Sequence, residues 1–215
     1  MNKYLKQRIY TSILLLILLF LISKLNSLLI FCLLILGVLS QLEFLNLAKK
    51  LFKNKIFFIL SNLFFLFYIF TFCYLFLFFS SIFQLKLILF SLLFCCIASD
   101  VGGFVFGKIF KGPKLTKISP NKTYSGSLGS IFLSILVFSI SIYYFFNEVS
   151  ISMIIISIIT SIGCQIGDLF FSYLKRKVKM KDTGNVLPGH GGVLDRLDGI
   201  FLGIPLGFAC LTLIH

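Results

Sequence analysis

Along the chain, long apolar runs alternate with short polar breaks, and the runs lack both the period of two that marks a strand and the single apolar stripe of a soluble helix. A helix needs roughly 20 apolar residues to cross a hydrocarbon core about 30 Å thick. Seven runs approach or exceed that length, at 9–25, 27–47, 56–79, 82–106, 128–146, 150–171 and 195–214. The third is drawn as a span, though it is so rich in phenylalanine that it could conceal a re-entrant bend rather than one straight helix. The pattern predicts an all-α fold: a polytopic transmembrane helical bundle of about seven spans, with the chemistry in loops at one face. Residues 1–80 form the N-terminal spans, and 81–215 form a C-terminal catalytic region containing the two longer polar loops, 107–127 and 172–194.

Composition agrees. The chain is 59% hydrophobic, with a mean hydropathy of +1.05. Its six cysteines all lie inside apolar runs, with no CxxC pair, and read as small packing residues. The N-terminus has a basic lead and an apolar stretch but no small-x-small cleavage site, so it reads as a retained first span.

A net charge of +13 would suggest nucleic acid in a soluble protein. Here topology accounts for it. With the N-terminus inside, every Lys and Arg except Lys24 and Lys86 falls on the cytoplasmic side, which fixes the orientation and excludes the need for a nucleic-acid partner. The expected location is the cell (inner) membrane, with N-terminus and catalytic loops cytoplasmic.

The acids are few: Glu43, Asp100, Glu148, Asp168, Asp182, Asp195 and Asp198. All five aspartates lie in or beside the two polar loops. A carboxylate in a span costs roughly 2.5 to 3.5 kcal/mol, so several near one membrane edge call for a cation between them. Hard divalent ions such as Mg2+ take a few carboxylates plus waters and substrate phosphates. The plainer reading is that Asp195 and Asp198 cap a helix N-terminus, but it leaves Asp168 and Asp100 unexplained. Asp168 and Asp195 end antiparallel neighbouring spans and are expected at similar depth.

In "GDLFFSYLKR", Asp168, Ser172 and Lys175 follow a helical stripe, with Arg176 close to it. A carboxylate, a hydroxyl and two cations in that order suit a polyphosphate. In "PGHGGVLDRLDG" the glycines let the backbone approach a ligand closely, and His190 is placed to donate to a phosphate oxygen. "KISPNKTYSG" offers Ser119, Asn121, Lys122 and Thr123 just before a helix start, a setting that binds anions.

Taken together, Ser172 to Asp198 resembles the signature of the phosphatidate cytidylyltransferases, or CDP-diglyceride synthases: Ser-x-apolar-Lys-Arg, four residues, Lys-Asp-x-small, then His-Gly-Gly-x-x-Asp-Arg-x-Asp. "SDVGGFVFGKIF" and "KISPNKTYSG" look like the same family's cytosolic segments, so the likeness runs from about Asp100 to the C-terminus. The resemblance implies cytidylyl transfer from CTP to phosphatidate, giving CDP-diacylglycerol and pyrophosphate. It implies Mg2+ on Asp168, Asp195 and Asp198, with Lys175 and Arg176 completing the catalytic set. Substrates would meet Ser119, Asn121, Lys122, Thr123, Ser172, Asp182, His190 and Arg196. A second cation such as K+ is compatible with the family. A homodimer is also implied, and Gly163 and Gly167 form a small-residue pair that could pack it.

The chain departs from the pattern at Val101 (frequently Thr), Ser125 (frequently Glu) and Phe171 (frequently Glu), leaving fewer acids near a metal. It is also short for the family, as if one or two N-terminal spans were missing. Three alternatives compete. A CDP-alcohol phosphotransferase shares the Asp-x-x-Asp-Gly of "DRLDG", although its Ala-Arg and later Asp-x-x-x-Asp are missing. A CTP-dependent lipid kinase would use the same nucleotide differently. A cation transporter would place its acids at the bilayer midplane rather than at one edge.

Overall fold

The computed structural model describes the backbone of residues 3–116, 119, 122–186 and 191–214, and the side chains of these except 3–9 and 12. Seven helices make up the described chain: α1 (Lys3–Lys24), α2 (Asn26–Leu51), α3 (Lys55–Ser81), α4 (Phe83–Phe110), α5 (Tyr124–Phe146), α6 (Ile151–Lys177) and α7 (Leu194–Ile214). Six of them, α2 to α7, are long and apolar enough to cross a membrane, and the chain is an integral membrane protein. In α1 the described apolar stretch is Ile13–Lys24.

The residues of α3 form one uninterrupted helix, without the bend its phenylalanines also allowed. Phe64, Phe67 and Phe70 on it are 74%, 69% and 69% exposed, a degree of apolar exposure that suits lipid rather than water. Several helices outrun their apolar segments. α4 reaches Phe110, α5 already starts at Tyr124, and α6 continues to Lys177, so Ser172, Lys175 and Arg176 are helical.

Contacts divide the chain into two compact units, Met1–Ser80 with Leu174–Leu197, and Ser81–Tyr173 with Asp198–His215. In the first, α1 packs on α2, and Phe44 of α2 stacks on Phe65 of α3 with ring centroids 4.0 Å apart.

In the second unit, α4 and α5 approach so closely that a Cβ on Gly102 would sit 2.5 Å from the Gly129 carbonyl oxygen. Only glycine permits that approach. Gly163 and Gly167, which the sequence offers as a dimer contact, face their own chain. A Cβ on either would come within 3.1 Å of the Gly203 Cα or 3.2 Å of the Gly199 Cα, respectively, so the pair packs α6 against α7. A polar seam joins α4, α5 and α6: Ser99 and Ser161 share a hydrogen bond of 2.9 Å, and the Ser130 hydroxyl donates to the Ser99 carbonyl at 2.7 Å. In an apolar medium such bonds hold helices together without a hydrophobic driving force.

Candidate active site

Within the second unit, the polar loop after α4 turns back at Lys111 (φ 49°) and Gly112 (φ 112°). It closes by pairing Lys114 with Thr123, with the Leu115 N–H donating to the Lys122 carbonyl at 2.8 Å. Thr123 then caps α5, its hydroxyl accepting from the Gly126 N–H at 3.1 Å. Ser119 steers the same turn, since its carbonyl accepts from the Lys122 N–H at 3.0 Å. Lys122 is thereby held with its ammonium 2.5 Å from Asp168 Oδ2. One turn further along α6, the Ser172 hydroxyl donates to Asp168 Oδ1 at 3.2 Å, as the helical stripe predicts. Both partners of the ion pair remain partly open, at 26% and 34% side-chain exposure.

Asp198 is buried, and its Oδ1 accepts from the Gly199 N–H at 2.9 Å. Phe171, where the family frequently has an acid, is 5% exposed and faces Phe201 at 6.5 Å between centroids. In this chain the position is part of the apolar packing between α6 and α7. Ser125 lies against the Thr123 hydroxyl at 3.0 Å and donates to the Lys111 carbonyl, so at this position too the chain uses its side chain to build the loop.

The first unit carries a second Lys–Asp pair. Lys175 Nζ lies 2.7 Å from Asp195 Oδ1, with side-chain exposures of only 9% and 7%. The other oxygen, Oδ2, accepts from the Thr183 N–H at 2.8 Å and the Gly192 N–H at 3.0 Å. The bond to Gly192 reaches back three residues to backbone that precedes α7, whereas the Val193 and Leu194 N–H groups at the helix start go to another carboxylate. Asp195 thus fastens both ends of the 183–192 segment, and the Lys175 carbonyl adds a bond from the Met180 N–H at 2.9 Å. Arg176, Asp182 and Arg196 are exposed, with Arg176 Nη1 donating to the Met180 carbonyl at 3.3 Å. Asn121 and His190 lie outside the described residues.

Sequence reading missed Glu43. This α2 residue is buried, and its carboxylate accepts from the Thr183 hydroxyl at 2.7 Å and from the N–H groups of Val193 and Leu194, both at 2.9 Å. A signal existed. α7 begins after Val193, which has no capping oxygen, so its first N–H groups had to find an acceptor elsewhere.

For magnesium, the donors are of the right chemistry: hard carboxylate oxygens, of which one or two suffice when waters and substrate phosphates complete the shell. Among the described residues no three His, Cys, Asp or Glu side chains cluster. Asp168, partly exposed and bonded by one lysine and one hydroxyl, fits such a sparse site. Asp195 presents oxygens already engaged by a lysine and two backbone donors.

Comparison with known proteins adds a second line. The model of the cytidylyltransferase family matches residues 3–214. A Rickettsia felis protein named phosphatidate cytidylyltransferase is 46% identical over 129 residues, covering 54% of this chain and 56% of that protein. Proteins of the same name from Helicobacter pylori strain J99 and Mycobacterium leprae are 42% and 36% identical over 112 and 126 residues, covering 52% and 58% of this chain and 42% and 40% of theirs. The matched stretch therefore spans about half, or less, of the length of these relatives.

Proposed function

The chain belongs to the cytidylyltransferase family, and from that premise we propose that it transfers a cytidylyl group from CTP to phosphatidate, giving CDP-diacylglycerol and pyrophosphate. The observation that carries this reading is the buried Lys175–Asp195 pair. Inside the 172–198 signature its carboxylate also takes the Thr183 and Gly192 N–H groups, so a lysine and backbone donors converge on one point of that motif, the donor types that polyphosphate sites use.

A phosphate oxygen of the lipid attacks the α-phosphorus of CTP, a new P–O bond forms, and the bond to the β-phosphate oxygen breaks as pyrophosphate leaves. Both reactants are anions, so the protein's work is positioning and charge neutralisation. Arg176 and Arg196, exposed, would neutralise phosphates of the nucleotide or the lipid head. Lys122 would turn its ammonium from Asp168 to a phosphate, while Ser119, Asn121 and Thr123 shape the nucleotide end. Ser172 orients Asp168, Asp182 and His190 contact substrate, and Lys175 holds Asp195 in place. Magnesium, when bound, would supply charge to the leaving pyrophosphate. Asp168 is the first carboxylate we assign to it, and Asp195 and Asp198 are the second and third choices; a further cation such as K+ has no assigned residue. A homodimer is part of the reading, without Gly163 and Gly167 as its contact.

The Lys and Arg distribution supports a cell (inner) membrane protein with its N-terminus and polar loops cytoplasmic. A His215→Cys variant should react only with reagents applied to the outer face; labelling from the cytoplasm would overturn that orientation. For the reaction, purified full-length protein with CTP, phosphatidate and Mg2+ should release pyrophosphate one for one with CDP-diacylglycerol. Pyrophosphate without cytidine-bearing lipid would sink the assignment.

A further inference from the structure

Glu43 is the only acid in the first 81 residues, far in sequence from the signature, yet every hydrogen bond described for its carboxylate comes from that signature. Oε2 accepts from the Thr183 hydroxyl at 2.7 Å and the Leu194 N–H at 2.9 Å, and Oε1 accepts from the Val193 N–H at 2.9 Å. The side chain therefore supplies the cap that Val193 lacks, with a negative charge at the positive end of α7. It also explains two glycines. A Cβ on Gly184 would lie 2.5 Å from Glu43 Oε1, and one on Gly192 would collide with Oε2 and the Thr183 hydroxyl. Neither position tolerates a side chain while Glu43 is in place.

Thr183 links Glu43 to the proposed chemistry. Its hydroxyl goes to Glu43 and its N–H goes to Asp195 Oδ2. Gly192, packed against Glu43, gives its own N–H to the same Asp195 oxygen. Two carboxylates from different helices thus hold Thr183, one through its hydroxyl and one through its N–H, together with consecutive N–H groups of 192–194. We propose that Glu43 is a positioning residue for cytidylyl transfer: it touches no substrate, and it sets Thr183 and the start of α7 so that Asp195 is held in its working orientation. The inference rests on the proposed reaction for its consequence, though not for the clamp itself.

The test uses the full-length protein in lipid with two readouts. Glu43→Gln keeps the shape of the side chain but turns an amide NH2 toward at least one backbone or hydroxyl donor. Hydrogen exchange should rise in peptides covering 182–196 and stay at wild-type level in α4 and α5. Kinetically, kcat or the apparent affinity for Mg2+ and CTP should fall by about 10- to 100-fold, as for other residues that orient a functional carboxylate, with the KM for phosphatidate unchanged. Thr183→Val should shift the same parameters in the same direction by less, and Thr183→Ser should restore them. Wild-type exchange at 182–196 in Glu43→Gln would overturn the clamp. Faster exchange with kcat and CTP affinity unchanged per folded molecule would overturn the positioning role. Should the wild type itself make no CDP-diacylglycerol, the reaction reading falls, and the exchange arm still decides the clamp.

Discussion

Lys122–Asp168 and Lys175–Asp195 are the same chemical pair in two settings. The first is 26% and 34% exposed and 2.5 Å apart, while the second is 9% and 7% exposed and 2.7 Å apart. Separation does not distinguish them; burial and partners do. Asp168 takes one lysine and one hydroxyl, both from side chains and none from the backbone. Asp195 takes a buried lysine and two backbone N–H groups that cannot move without the segment moving. An exposed pair contributes about 0 to 1 kcal/mol and exchanges partners easily, whereas removing one partner of a buried pair costs about 3 to 5 kcal/mol through the charge left behind. Under the proposed function, the open pair is the one that would trade its lysine for substrate, and the closed pair is the one that would hold backbone of the signature in place.

Substitutions can break that contrast. Asp195→Asn should have the largest effect, abolishing turnover and lowering unfolding stability by about 3 to 5 kcal/mol, because the buried Lys175 ammonium loses the opposite charge it faces. Activity assay and denaturation in the same detergent would show both losses, and near-normal turnover would remove Asp195 from the site. Lys175→Met should destabilise similarly in direction but less in turnover, since it removes a support and leaves the carboxylate. Asp168→Asn should cut turnover severely while changing stability by no more than about 1 kcal/mol, the separation of activity from stability that an exposed functional carboxylate predicts. Lys122→Ala should be mildest, raising the KM for CTP more than it lowers kcat, with a stability change within about 0.5 kcal/mol. If Lys122→Ala destabilised as much as Lys175→Met, the two pairs would not differ as proposed.

Much of the fold was legible because a membrane imposes one rule, that apolar runs of sufficient length become helices, and those runs are plain in the chain. Their ends were less so. Hydropathy stops at Phe171, while helical hydrogen bonding continues through Ser172 and Lys175 to Lys177. The Asp168–Ser172 contact was legible because it is local to one helix. The Lys122–Asp168 and Lys175–Asp195 pairs were not, since periodicity says nothing about which loop meets which helix. Glu43 was least legible of all: a lone acid in an apolar run carries no local pattern, and only the uncapped Val193 pointed to an acceptor from elsewhere.

The most direct measurement gives the purified protein phosphatidate, Mg2+ and CTP carrying one isotope on the α-phosphate and another on the γ-phosphate, then reads which label enters the lipid. Cytidylyl transfer predicts α-label in the lipid and γ-label in released pyrophosphate. γ-Label in the lipid, with CDP as the other product, would make the protein a lipid kinase and contradict the account.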